Sequence, residues 1–170
     1  MQRWIVAALA PLAVLLSGCF TSELPLIDGA NADYPFRSIS VRAEGGEDAT
    51  LVREGDHYVF AGDLDDGFDI FFDDFGGGLY LMRLASVAED GTLQSLYVVV
   101  LLDQSAGTVA VYRSIVRDED FAAGIRHCVH DGEELYLACL DEPGRLIGIV
   151  RAAIAAGEAP EDIYAITAMD

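Results

Sequence analysis

Residues 63–74 place six carboxylates, Asp63, Asp65, Asp66, Asp69, Asp73 and Asp74, in a stretch of twelve residues. Calcium takes six to eight oxygen ligands from a flexible loop, so Asp63, Asp65, Asp69, Asp73 and Asp74 are its candidate ligands here. The spacing departs from an EF-hand, because Gly67 stands too early and no Glu closes the loop. Solvated acidic turns around a short strand explain the same composition. Gly76-Gly77-Gly78 behind them suits positive φ angles or a bulge. A second cluster, His127-Cys128-Val129-His130, holds three zinc-ligand side chains, with Cys139 or His57 available as a fourth. On an extended strand His127 and Cys128 point to opposite faces, as do His127 and His130, which makes a poor tetrahedral cup.

Catalytic groups are harder to find. No Gly-x-Ser-x-Gly occurs, and no Ser stands at a telling spacing from one of the three His. A glycosidase needs only two carboxylates across a cleft, but 29 Asp and Glu give no pair special weight. The chain reads as a non-enzyme, with a carboxylate-based hydrolase as the remaining catalytic alternative.

The rest of the composition narrows the partners. The chain has 170 residues, 52% of them hydrophobic, with 10 Arg, no Lys and a formal charge of -19. That length fits one domain. A phosphate-binding surface needs clustered cations that this chain lacks, so nucleic acid is excluded as a partner.

Met1-Gln2-Arg3 precedes an apolar run from Ile5 to Leu16. As a helix that run would rise about 18 Å, short of the roughly 30 Å of a hydrocarbon core, so it reads as an exported signal segment. It ends in Leu16-Ser17-Gly18-Cys19, which resembles the lipobox of bacterial lipoprotein precursors. The resemblance implies a diacylglyceryl thioether on Cys19, cleavage before it and acylation of the new amine. Two or more acyl chains, at about 0.8 kcal/mol per buried methylene, make such an anchor effectively permanent. Phe20, where the family's inner-membrane retention signal has Asp, implies the outer membrane facing the periplasm in a Gram-negative host. In a Gram-positive host the anchor would lie on the cell membrane.

With Arg3 removed, nine Arg face 29 acids, a mature charge of -20. Residues 1–18 are thus the signal peptide and 36–170 a single β-rich domain. Between them, 19–35, with Pro25, Gly29, Asn31 and Pro35, is expected to be the lipidated Cys and a flexible tether spanning roughly 20–25 Å. With Cys19 lipidated, Cys128 and Cys139 remain as a pair in an oxidising compartment. A short loop around 131–134 places both on one sheet face. Their disulfide closes about a dozen residues, worth roughly 2.5–3 kcal/mol.

From Phe36 onward short alternating runs are separated by turn residues. The runs are 38–42, 51–53, 57–60, 68–72, 79–87, 93–102, 108–116, 125–130 and 135–140. Connections this short join antiparallel neighbours. The expected fold is mainly antiparallel β (α+β), a meander of about eight strands forming a curved sheet or barrel. One amphipathic C-terminal helix near 142–156 packs on it, with Leu146, Ile149, Val150, Ala153 and Ile154 as its apolar stripe. Residues 163–166 are expected as a last edge strand.

These readings converge on a lipid-anchored envelope lipoprotein with a binding or structural role, its partner the membrane through the lipid and its only group the covalent lipid. Its acidity suits a cationic protein such as lysozyme. The outline resembles the membrane-bound lysozyme-inhibitor family, whose Ser-Gly-x-x-Tyr motif Glu54-Gly55-Asp56-His57-Tyr58 matches at Gly and Tyr but not at Ser. That family's Lys-bearing second motif has no counterpart. A divalent-ion or small-ligand binder, using the 63–78 loop or the sheet interior, is the other alternative.

Overall fold

Strands dominate because Val, Tyr, Leu and Phe alternate in parity over most of the chain, with glycine-containing turns between runs. The computed structural model describes residues 20–22, 25–62, 67–87, 91, 93–112, 126–130, 133–139 and 143–170, with side chains of 126–130 and 133–138 not included. The strands are β1 (Phe20–Thr21), β2 (Ser38–Arg42), β3 (Asp48–Glu54), β4 (His57–Phe60), β5 (Asp69–Asp74) and β6 (Leu79–Val87), followed by β7 (Leu93–Asp103), β8 (Thr108–Tyr112), β9 (Arg126–His130), β10 (Glu133–Cys139) and β11 (Asp162–Met169). Helix α1 spans Pro143–Ala155.

Eight of these strands close a barrel in the order β6-β5-β4-β3-β2-β11-β8-β7, with the β6–β7 ladder joining its ends. All its ladders are antiparallel. The helix is therefore not the last element. β11 follows it, and the expected edge strand at 163–166 is instead the strand that closes the barrel, between β2 and β8. Sequence periodicity reveals that a strand exists but not its neighbours. The β9–β10 hairpin stands outside the barrel, joined to β7 through β1.

Parity assigns the two faces. Tyr58, Ile70, Phe72, Val98, Val100 and Val111 come from strands all round the barrel and pack into one cluster with Leu51 and Tyr164, which is the barrel interior. Phe36, Tyr58 and Phe72 stack there with ring centroids 4.8–5.5 Å apart. The outer faces of β5–β8 form a second cluster, with Phe71, Leu81, Tyr97, Val99 and Tyr112. α1 covers that face through Leu146, Ile147, Val150 and Ala153. Its buried stripe is turned toward Ile147, and Ile149 and Ile154 are only partly buried. The helix stops in a Schellman turn, with Gly157 at φ 78° and Glu158 N–H donating to the Ala153 carbonyl.

Gly76, Gly77 and Gly78 all have positive φ, as the β5–β6 turn requires. A side chain at Gly78 would also collide with the Leu102 carbonyl, whereas one at Gly45 would meet open space. Gly45→Ala is expected to cost about 1 kcal/mol, the left-handed strain alone, and Gly78→Ala roughly 3 kcal/mol. Urea unfolding of both variants checks the difference, and equal losses would contradict the close approach.

Candidate functional site

The segment expected to be a tether is part of the body. Thr21 pairs with Leu96 of β7 on one side and with Cys139 of β10 on the other, and Phe20, 3% exposed, joins the outer cluster. Thr21 Oγ1 donates to the Ser95 carbonyl at 2.9 Å. Leu26 N–H donates to Tyr97 Oη at 2.9 Å, and burial pushes that phenol upward. Arg83, 3% exposed under the segment, donates from Nη1 to the Ile27 carbonyl at 2.6 Å and from Nε to Ser95 Oγ at 2.9 Å. Its guanidinium also lies 5.2 Å from the Phe71 ring centroid.

Beyond Ile27 the chain makes a tight turn held by its own polar side chains. Asp28 N–H donates to Asn31 Oδ1 and Ala30 N–H to Asp28 Oδ1. It then crosses one end of the barrel. Asp33 N–H donates to the Phe72 carbonyl at 2.7 Å, and Tyr58 Oη to the Phe36 carbonyl at 2.6 Å. The Arg53 guanidinium lies 3.6 Å from the Tyr34 ring centroid. Tyr34 Oη lies within hydrogen-bond distance of the Gly29 and Asp56 carbonyls. A strap held this way has no slack. Of Pro25, Gly29, Asn31 and Pro35, only Gly29 and Asn31 lie in a turn, and much of what fixes the segment comes from strands far along the chain. Cys19 itself, the signal segment, Asp63 and Asp65 lie outside the described residues.

The remaining calcium candidates are spread rather than gathered. Asp69, Asp73 and Asp74 all lie on β5, with Asp69 opposite Ala85 and Asp74 opposite Tyr80. Four residues of strand separate Asp69 from Asp73 by roughly 13 Å, and Asp73 and Asp74 point to opposite faces. A strand takes the place of the chelating loop because Ile70, Phe71 and Phe72 are buried. Among the described residues, no three His, Cys, Asp or Glu side chains converge as a metal site. Asp69 instead approaches His57 Nε2 at 3.6 Å, and Asp56 approaches His57 Nδ1 at 3.1 Å.

Asp73 and Asp74 belong to a small acidic group with Asp33, whose Oδ2 accepts from Asp74 N–H at 2.8 Å. Burial, then the Asp33 and Asp74 carboxylates, raises the Asp73 pKa above its ordinary 3.8. A cavity of about 570 Å³ opens between the Gly77-Gly78 turn and the Asp103-Gln104-Ser105 turn, with Tyr80 on its wall. Burial first, then Asp74 and Asp33, pushes the Tyr80 phenol upward.

Cys139 is 5% exposed and disulfide-bonded. Its ladder partner on β9 is Arg126, two residues before Cys128 in the chain, and the ladder shifts register between Ala138 and Glu134. The side chains of His127, Cys128 and His130 lie outside the description. Sequence reasoning missed Arg83 and Tyr97. The signal for Arg83 was present, as a cation in register with Leu79, Leu81 and Ala85 on an otherwise apolar face.

Two tests follow. Phe20→Ala is expected to lower stability by about 3–4 kcal/mol in urea unfolding, as for a core aromatic, whereas a tether residue would cost nothing measurable. For Asp73, the folded state binds the proton more tightly than the unfolded chain, so stability falls as pH rises from 3.8 through the raised folded-state pKa. Asp73→Asn is therefore expected to raise Tm near pH 7 by on the order of 2 °C and to leave it unchanged near pH 3, where both states are protonated.

Comparison with protein-family models, with curated proteins and with solved structures finds no match to this chain.

Proposed function

We propose that this chain is a lipoprotein of the bacterial envelope, acylated on Cys19, whose barrel serves a non-enzymatic binding or structural role. The observation that carries this reading is Leu16-Ser17-Gly18-Cys19 at the end of an apolar run too short to span a bilayer. The placement of Phe20 adds a consequence. The acyl-bearing residue is bonded directly to a buried residue of the sheet, so the barrel rides against the bilayer instead of on a stalk. In a host with an outer membrane, Phe20 after the acylated residue favours that membrane and its periplasmic face.

The disulfide of Cys139 is assigned to Cys128 in this reading, a staple for the β9–β10 hairpin that flanks the anchor. A mature charge of -20 speeds encounter with a basic partner, which favours a cationic protein as the soluble ligand.

The anchor is testable by fractionation. The wild-type chain is expected in the envelope pellet, with its N-terminal peptide carrying the mass of a diacylglyceryl thioether. Cys19→Ala is expected to lose that mass and to leave the mature-membrane fraction. A Cys19→Ala chain that pellets as the wild type does, with an unmodified wild-type peptide, would remove the reading.

A further inference from the structure

The thinnest seam of the barrel lies between β4 and β5. Tyr58 and Ile70 are the single registered pair between these two strands, against four pairs between β3 and β4 and six between β5 and β6. The strap takes part of the remaining β5 edge, where Asp33 N–H donates to the Phe72 carbonyl. His57, at the start of β4, spans the seam with its side chain. Its Nδ1 lies 3.1 Å from Asp56 Oδ1 on the β3–β4 turn, and its Nε2 lies 3.6 Å from Asp69 Oδ1 on β5. A neutral imidazole has one N–H and one lone pair, so it serves one of these carboxylates and turns the lone pair to the other. The imidazolium presents a donor to both.

The surroundings favour that charged form. Glu54, the ladder partner of His57, brings a third carboxylate to the same face. Arg53 on β3 is turned to the Gly55 carbonyl and the Tyr34 ring. Arg83 lies against the Phe71 ring, whose centroid is 6.2 Å from that of His57. The strap holds the same turn, with Tyr34 Oη donating to the Asp56 carbonyl and Gly29 leaving no room for a side chain beside the Asp56 carboxylate.

We propose that His57 is a proton-operated clamp on the β4–β5 seam. Protonated, it ties Asp69 of β5 to the turn that the strap holds. Deprotonated, it lets one carboxylate go, and the Tyr58–Ile70 pair and the side chains behind it hold that wall alone. The clamp therefore tightens as pH falls through the imidazole range and loosens as pH rises through it. Tyr58 and Ile70 are fully buried, so the opening it controls leads into the barrel interior.

The test is amide hydrogen exchange of the full chain at about pH 5 and about pH 8, which bracket the imidazole range. Rates are expressed as protection factors, so that the intrinsic pH dependence of exchange cancels. The wild type is compared with His57→Gln, which is neutral at both. In the wild type β4 and β5 are expected to be protected about two- to fivefold better at the lower pH, the range of a partly exposed ion pair. His57→Gln is expected to lose that difference, with β6 and β7 behaving alike in both chains. Asp73, also on β5, is present in both, so its own titration drops out of the comparison. Asp69→Asn is expected to fall between the two. Equal pH responses in the wild type and His57→Gln, or a difference spread evenly over β6 and β7, would overturn the clamp. A full wild-type response in Asp69→Asn would overturn the link to β5.

Discussion

One edge of β7 serves two strands, and the arrangement of the N-terminal region depends on that sharing. The described β8 ladder covers Val99 to Asp103, and at Leu96 and Tyr97 the partner is β1. Unpaired N–H and C=O groups beside a buried apolar cluster are costly. A two-residue strand supplies the missing partners and carries Phe20 into the cluster under α1. It also gives β10 an edge to pair with, so the β9–β10 hairpin is joined to the barrel through it.

Arg83 shows how firmly the strap beyond β1 is built in. A buried guanidinium is tolerated only where hydrogen bonds replace its water. The carbonyl of Ile27 and the hydroxyl of Ser95 do so here, and the ring of Phe71 adds its face. In a chain with 29 acids and 10 Arg, placing a cation inside rather than on the surface leaves the exterior still more acidic. Structure and charge thus point the same way. The outside repels anions, while four of the described cations turn to the chain itself: Arg83 on the strap, Arg53 on Tyr34, Arg42 paired with Asp48 at the surface, and Arg151 on the Phe75 carbonyl.

Much of the fold was legible because β strands advertise themselves through parity. Leu79–Val87 alternates between buried and half-buried positions, and the Gly55-Asp56 turn gives the β3–β4 hairpin directly. The helix was legible through its 3.6-residue spacing and its terminal glycine. What parity cannot express is which strands are neighbours. β11 therefore looked like an edge although it closes the barrel. A two-residue strand carries no period at all, so β1 vanished into a proline- and glycine-containing stretch that resembled a linker. The acidic run left two readings open for a related reason: composition alone does not distinguish a loop that gathers carboxylates from acidic turns around a strand, and burial of Ile70 and Phe72 favours the strand over 69–74.

The account turns on Phe20 and Thr21 being sheet, with the proposed anchor joined directly to the barrel. Amide hydrogen exchange of the full-length chain in detergent tests that most directly. Protection at Phe20 and Thr21 comparable to that at Leu96 and Tyr97 is the result predicted, since these residues share one ladder. Exchange at random-coil rates at Phe20 and Thr21, with β7 still protected, would contradict it.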